Sequence, residues 1–187
     1  VLKCINEILI QLKNDLLYPQ SYQELFTYIF DQILLVQYYF RNEIKKGRDS
    51  LELYSSVQQS INALPRAYLM IILGSIILEN NNINKQEILE DLLETCNNIK
   101  HPLRGLFLRY FLLKIMNKHF TDFDLVMTNF KEMNKLWINV KKMKDIPDKK
   151  YKQFRNDLKV LIGENITFLA FILNNMKKVN KEVIYYE

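Results

Sequence analysis

The segment Leu64–Leu78, with the sequence LPRAYLMIILGSIIL, constrains the fold more than any other part of the chain. After Arg66 no charged residue occurs until Glu79. A helix this apolar has no face for water, so other parts of the protein must cover it on most sides. It is shorter than the ~20 apolar residues that a membrane span requires. Pro65 fits the first turn of such a helix, and we predict a buried inner helix of a helical layer.

Arg66 is the single charged residue inside this segment. A guanidinium beside an uncharged helix must pair with a carboxylate, bind backbone carbonyl groups, or point outward as a contact site. The ordinary interpretation is a structural ion pair, and the functional one is a contact with a partner. The sequence leaves both interpretations open.

Apolar residues spaced by three and four positions predict a chain of helices. Ser21 with Glu24 has the pattern of a capping box, Asn84 is a second predicted N-cap, and Gly47 is a predicted C-terminal stop. We place eight helices at Leu2–Leu17, Ser21–Lys46, Ser50–Ala63, Leu64–Leu78, Lys85–Asn98, Pro102–His119, Thr121 or Asp122 to Lys144, and Asp148–Met176, and a truncated ninth at Val179–Glu187.

The prolines follow a repeat that fits paired helices. Each one precedes the second helix of a predicted pair: Pro19, Pro65, Pro102 and Pro147. Their separations of 46, 37 and 45 residues are close to the period of about 40–47 residues of HEAT-like hairpins. No segment shows the period-two alternation of a strand. We predict an all-α fold, an α-solenoid of HEAT-like antiparallel helix hairpins that touch mainly their neighbours. We expect residues 1–187 to form one N-terminal solenoid segment of a longer chain.

Motifs for catalysis, cofactor binding or metal binding are not recognised in the sequence. His101, His119, Cys4 and Cys96 lack the spacing of zinc ligands. There is no glycine-rich phosphate loop, nucleophile elbow or HExxH motif. The formal net charge of +5 permits contact with anionic lipid or nucleic acid without requiring it. A long helical surface without a reactive centre favours scaffolding, so we expect no enzyme and no cofactor.

Two further stretches have alternative interpretations. Gly105 lies inside a predicted helix, where glycine costs about 1 kcal/mol relative to alanine, so we expect either a close helix crossing or a flat docking surface there. Arg109 has apolar neighbours at helical spacing, whereas Arg104 lies on another face. The basic run Lys141–Arg155 is typical of a solvated loop, with attraction to an acidic membrane as the second interpretation. It supports the alternative function of a basic helical-repeat module that binds RNA or anionic membrane, whose binding would fall steeply with salt.

Several blocks closely resemble the family of vacuolar protein sorting-associated protein 35, the large α-solenoid core subunit of retromer. Pro65–Leu69 is similar to the PRLYL signature of that family, with Ala67 in place of its leucine. The loop His119–Phe123 is short where many relatives insert an acidic segment. The other similar blocks are HPLRGLFLR at His101–Arg109, NFKEMNKLW at Asn129–Trp137, LKVLIGEN at Leu158–Asn165, and the shorter Ser21–Leu25 and Lys46–Arg48.

This resemblance implies a non-catalytic scaffold in endosome-to-Golgi transport, cytoplasmic and peripheral on the cytosolic face of endosomal membranes. In the family, the N-terminal solenoid holds the arrestin-like subunit of the vacuolar protein sorting 26 family. It lies near sites for a late-endosomal Rab GTPase and a PX-domain sorting nexin, and the metallophosphoesterase-like subunit binds the C-terminal half. No nucleic acid is implied, and membrane contact is indirect. The positions expected to contact the arrestin-like subunit are Pro65, Arg66, Tyr68, Leu69, Arg104, Gly105 and Arg109.

Overall fold

A computed structural model describes residues 2–14, 17, 19–79, 84–120, 122–140, 156, 158–172 and 174. Within those residues the chain is helical and contains no strand, which confirms the all-α prediction. The helices are α1 (Leu2–Ile10), a 3-10 turn (Gln11–Lys13), α2 (Pro19–Lys45), α3 (Ser50–Gln58), α4 (Ala63–Ile77), α5 (Lys85–Asn97), α6 (Pro102–Met116), α7 (Phe123–Val140) and α8 (residues 158–172).

Helices α2, α4, α6 and α8 lie side by side in one layer, called the second layer, and α1, α3, α5 and α7 pack against it as the first layer. Helix α4 lies at the centre and packs against α1, α2, α3, α5 and α6. All of its residues are buried except Ala63 and Arg66. This confirms the prediction of an inner helix, because five neighbours leave no side of an apolar helix for water.

The second-layer helices run in the same direction. Contacts between them advance together along both partners, as expected for parallel neighbours. These contacts join Gln37 with Ser75, Arg41 with Glu79, Tyr22 with Phe107, Phe30 with Phe111, Lys114 with Glu164, and Phe120 with Phe168. The N-termini of α2, α4 and α6 therefore lie at one edge of the layer.

A cluster of aromatic rings joins the first hairpin to the third. The ring of Phe26 on α2 lies 4.8 Å from that of Phe107 on α6, and the ring of Tyr22 lies 5.2 Å from the same partner. Tyr68 on α4 contacts Phe26 at 6.4 Å and Phe111 at 5.1 Å. Most contacts between helices lie within a hairpin or between adjacent hairpins, as predicted, and these rings add a contact between α2 and α6 past the first turns of α4.

Four helix boundaries differ from the predictions by more than one residue, and one of them is the end of α6 at Met116, three residues before the predicted end. Helix α1 ends at Ile10 and continues as a 3-10 turn, which is earlier than the predicted end. Helix α2 begins at Pro19, so Ser21 lies inside the helix and is not its N-cap. Proline is favoured in a first helical turn, and it displaces the weaker capping-box signal. Helix α3 ends at Gln58, five residues before the predicted end.

Two predicted N-caps are confirmed. The side chain of Asn84 accepts a hydrogen bond from the Gln86 amide at 3.2 Å. The Oδ1 atom of Asp122 accepts one from the Asp124 amide at 2.8 Å. Each cap satisfies an amide that the first helical turn leaves without an intrahelical partner.

Some predictions lie outside the described residues: the end of the seventh helix, most of the start of the eighth, the ninth helix and the whole of the basic run Lys141–Arg155. None of the helices that the structure describes combines the length and the hydrophobicity that a membrane crossing requires. Likewise, the described part of the chain brings together no group of three histidine, cysteine, aspartate or glutamate side chains suited to a metal ion. Cys4 is exposed and Cys96 is buried, and both are free.

Candidate partner-binding edge

The N-termini of α4 and α6 lie beside the connections between helices at one edge of the molecule. We call this region the turn edge, and define it as residues 59–62, Lys13 and the first turns of α4 and α6. The hydrogen bonds described below join these parts to one another. Six of the seven predicted contact residues lie in the first two turns of α4 or in the first turn of α6.

Arg66 binds the end of α3 through its side chain. Its Nη1 group donates to the carbonyl oxygens of Ser60 at 3.1 Å and Gln58 at 3.4 Å. The last carbonyls of a helix have no intrahelical donor, so the guanidinium supplies one. Of the outcomes considered from the sequence, the structure therefore shows carbonyl binding. This contact also explains why α3 ends early, because it ties the chain after Gln58 to the start of α4.

Arg104 makes a comparable contact with a different connection. Its Nη2 group donates to the carbonyl oxygen of Lys13, in the 3-10 turn between α1 and α2. The side chain is half-buried. His101 is the N-cap of α6, and its Nδ1 atom accepts from the Arg104 amide at 3.4 Å. Arg104 thus ties the third hairpin to the first, in agreement with the aromatic cluster beneath it.

Arg109 is an internal residue with 2% of its surface exposed. Its Nη1 group donates to Asn129 Oδ1 on α7 at 2.8 Å, and Nη2 donates to Asn97 Oδ1 on α5. Burial lowers the pKa of the guanidinium, and the nearby Cys96 and Glu132 act in the opposite direction. Arginine nevertheless stays charged at neutral pH. The side chain joins three helices and reaches no partner in this conformation.

Gly105 marks a close crossing of α6 and α7. A Cβ atom there would lie 2.7 Å from Leu136 Cδ1 and 3.0 Å from the Ile99 carbonyl oxygen. Of the two interpretations of this glycine, the structure supports the close helix crossing. Gly105 is itself buried, so no flat surface for docking is formed at this position.

The apolar signature residues are also internal. Pro65, Tyr68 and Leu69 are all buried in the first two turns of α4. Ala67 is 0% exposed, so the change from the family leucine alters the interior and not the surface. The hydroxyl groups of Tyr68 and Tyr22 are both buried and lie near each other. Burial raises the pKa of both phenols.

Among the seven predicted contact residues, the structure therefore leaves two with accessible side-chain surface, Arg66 and Arg104, both half-buried. The assignment of all seven to a partner contact stays a prediction. The other five lie inside the fold.

Three relevant residues were missed in the sequence. Asn97 and Asn129 hold Arg109, and Asn129 lies between Val126 and Met133 on the buried stripe of α7, a position where a polar residue indicates an internal partner. Ile61 lies in the turn between α3 and α4 and is 96% exposed. The exposure of Ile61 could not be predicted from the sequence, because its spacing is that of a helix and the early end of α3 at Gln58 is visible only in the structure.

A cleft of about 350 Å³ lies between α6 and α8. Its walls are mainly aromatic and aliphatic, including Leu113, Phe168 and Phe171. The ion pair of Lys114 with Glu164 lies at this cleft, with a nitrogen–oxygen distance of 2.6 Å. The Tyr110 hydroxyl donates to the same carboxylate at 3.4 Å, so one cluster of polar groups lies against the apolar wall of the cleft.

Comparison with known proteins identifies the wider group. The family model described as "Vacuolar protein sorting-associated protein 35" matches residues 1–185. The chain is 32% identical to vacuolar protein sorting-associated protein 35 of Dictyostelium discoideum, over 98% of this chain and 25% of the relative. It is 34% identical to protein 35A of Arabidopsis thaliana, over 90% of this chain and 24% of the relative.

A third relative, from Schizosaccharomyces pombe, is 36% identical over 87% of this chain and 22% of its own length. The chain thus spans about a quarter of the length of the curated relatives that it matches. The match of the family model covers nearly every residue, including all seven predicted contact positions. This chain belongs to the family of vacuolar protein sorting-associated protein 35.

Proposed function

We propose that this chain is a non-catalytic scaffold segment of retromer and that it docks the arrestin-like subunit through the turn edge. Family membership over residues 1–185 supports the retromer assignment, and the names of the relatives refer to vacuolar protein sorting. The observation that carries the docking assignment is the position of Arg66 and Arg104. Both half-buried arginines belong to blocks that resemble the family, and both lie at one edge of the helical layer.

The chemistry of Arg66 suits a polar contact with a partner. A guanidinium carries five N–H donors in a planar fork, and Arg66 uses Nη1 for two carbonyl oxygens. Among the described residues, neither Nη2 nor Nε of Arg66 has an acceptor. A carboxylate or carbonyl group of a partner can therefore accept from this side, in the bidentate geometry that arginine favours.

The wider role follows from the family. As part of retromer, the chain would act in retrograde transport from endosomes to the Golgi, as a peripheral component on the cytosolic face of endosomal membranes. A late-endosomal Rab GTPase and a PX-domain sorting nexin would bind near the same region. The metallophosphoesterase-like subunit would bind the C-terminal part of the full-length protein, which lies outside the quarter that this chain matches.

Exchange of Arg66 for glutamate tests the docking assignment. We expect Arg66→Glu to abolish co-purification with the arrestin-like subunit, because the change reverses the charge at the accessible edge. The same change removes two hydrogen bonds to carbonyl groups, and we expect a loss of stability of about 1–2 kcal/mol. Binding is measured by isothermal titration calorimetry, and unfolding by circular dichroism.

A matched control separates binding from stability. Ile77 lies at the other end of α4 and is 0% exposed, so Ile77→Val should cost about 0.5–1.5 kcal/mol without touching the turn edge. We expect this variant to bind like wild type. If Arg66→Glu binds with unchanged affinity, the contact with the arrestin-like subunit lies elsewhere. If Ile77→Val loses binding equally, the loss reflects stability alone.

A further inference from the structure

We propose that Ile61 is an apolar anchor for the partner that docks at the turn edge. Arg66 acts as a positioning residue, because it fixes the turn of residues 59–62 in which Ile61 lies. This inference rests on the proposed function, because it names the kind of surface that the arrestin-like subunit must offer. It assigns to Ile61 a role that the signature residues, buried inside α4, do not supply.

Ile61 has an unusual exposure for an isoleucine in this fold. Its side chain is 96% exposed, whereas the other exposed large hydrophobic residues range from 41% to 69%. A single exposed apolar residue is ordinary on a protein surface. Here, however, a second observation accompanies the exposure, because the backbone on both sides of Ile61 is held by one residue.

Arg66 makes contacts that bracket Ile61. The guanidinium Nη1 donates to the carbonyl of Ser60, which precedes Ile61, at 3.1 Å. The main-chain amide of Arg66 donates to the carbonyl of Asn62, which follows it, at 3.0 Å. The second bond is the first backbone hydrogen bond of α4, whose N-cap is Asn62, so the bond to Ser60 is the one that depends on the Arg66 side chain. Isoleucine is branched at Cβ and has few χ1 rotamers. The Ile61 side chain therefore has little conformational freedom before a partner binds, and less entropy is lost on binding.

The neighbouring charges define the kind of partner surface. Arg66 offers Nη2 and Nε beside the turn, and Arg104 starts the adjacent parallel helix at the same edge. The partner surface should therefore contain an apolar recess large enough for one isoleucine side chain, bordered by carboxylate or carbonyl oxygens. An apolar centre with a polar rim is the usual arrangement of a protein interface.

Substitutions of Ile61 test the anchor in a binding titration with the purified arrestin-like subunit. We expect Ile61→Asp to weaken binding at least tenfold, because burial of an isoleucine side chain contributes a factor of about 10–100 to the dissociation constant. We expect Ile61→Val to weaken it by about fourfold, since one methylene is lost. The melting temperature should not change, because the side chain contacts little of its own fold. Leu35→Asp, at a position on α2 that is 65% exposed, is the matched control and should bind like wild type.

A double-mutant cycle tests the positioning role of Arg66. If Arg66 acts through the turn as well as by its own contact with the partner, Arg66→Ala should weaken binding by a larger factor in the wild-type background than in the Ile61→Asp background. Equal effects in both backgrounds would overturn the positioning role. If Ile61→Asp binds within twofold of wild type while Arg66→Glu does not bind, the anchor is wrong and the proposed function stands. A wild-type chain that does not bind the subunit overturns both proposals.

Discussion

Replacement of Arg109 by methionine tests whether this arginine is an internal structural residue. The side chain is 2% exposed and donates to Asn129 and Asn97. Methionine has a similar length and no donors, so Arg109→Met leaves both asparagine oxygens without their guanidinium partner. We expect lower stability for this variant, whereas a surface contact residue would lose binding with little change in stability.

The magnitude follows from the two acceptors. Asn129 is 0% exposed, so its orphaned oxygen should cost about 1–3 kcal/mol. Asn97 is half-buried and can bind water instead, so its loss should cost about 1 kcal/mol. Removal of a buried charge whose Nε atom has no partner offsets part of this loss. We expect a net destabilisation of about 1–3 kcal/mol, or a melting temperature lower by about 2–12 °C.

Urea unfolding followed by far-UV circular dichroism measures this change, with the free energy taken by linear extrapolation. The double variant Arg109→Met with Asn129→Leu provides the control, because it removes the orphaned acceptor together with its donor. We expect this variant to recover the share of stability assigned to Asn129, about 1–3 kcal/mol. The reasoning is refuted if Arg109→Met lies within about 0.5 kcal/mol of wild type, or if the double variant is less stable than the single one.

Two other properties follow from the packing. Gly105→Ala should destabilise the fold by about 1–3 kcal/mol in thermal unfolding, because its Cβ would overlap a leucine of α7. Gly163→Ala is the control and should stabilise the fold by about 0.5–1 kcal/mol, because no described atom lies within 4 Å of its Cβ. If Gly105→Ala were the more stable of the two variants, the close crossing of α6 and α7 would be contradicted. Burial raises the pKa of Cys96 to about 12 and raises those of Tyr22 and Tyr68, so the unfolded chain releases these protons first. Stability should hold below about pH 9 and then fall by up to about 1.4 kcal/mol per pH unit for each group; urea midpoints that stay constant up to about pH 11 would disprove this.

The architecture could be predicted because its signals are local. The helical spacing of apolar residues and the repeat of the prolines each depend on residues close in sequence. The uninterrupted apolar character of Leu64–Leu78 predicted a central helix, and the structure confirms it. Gly105 inside α6 predicted close packing, because glycine is unfavourable in a helix unless a neighbouring element needs the space that a side chain would fill.

The surface of the candidate edge could not be predicted, because it depends on contacts between distant residues. On a helix that is apolar all round, the sequence does not show which residue faces a partner and which faces the core. The early end of α3 depends on Arg66, eight positions beyond Gln58. The role of Arg109 depends on Asn129, twenty positions away. No local pattern contains these pairings.

The aromatic contacts between α2 and α6 change how this part of the protein should respond to stress. In a simple stack of repeats, each unit holds only its neighbours, and the array can unravel from one end. Here Phe26 and Phe107 link units that are not consecutive, so peeling away the first unit also breaks packing inside the third. The first three hairpins should therefore unfold together as one cooperative block and not one hairpin at a time.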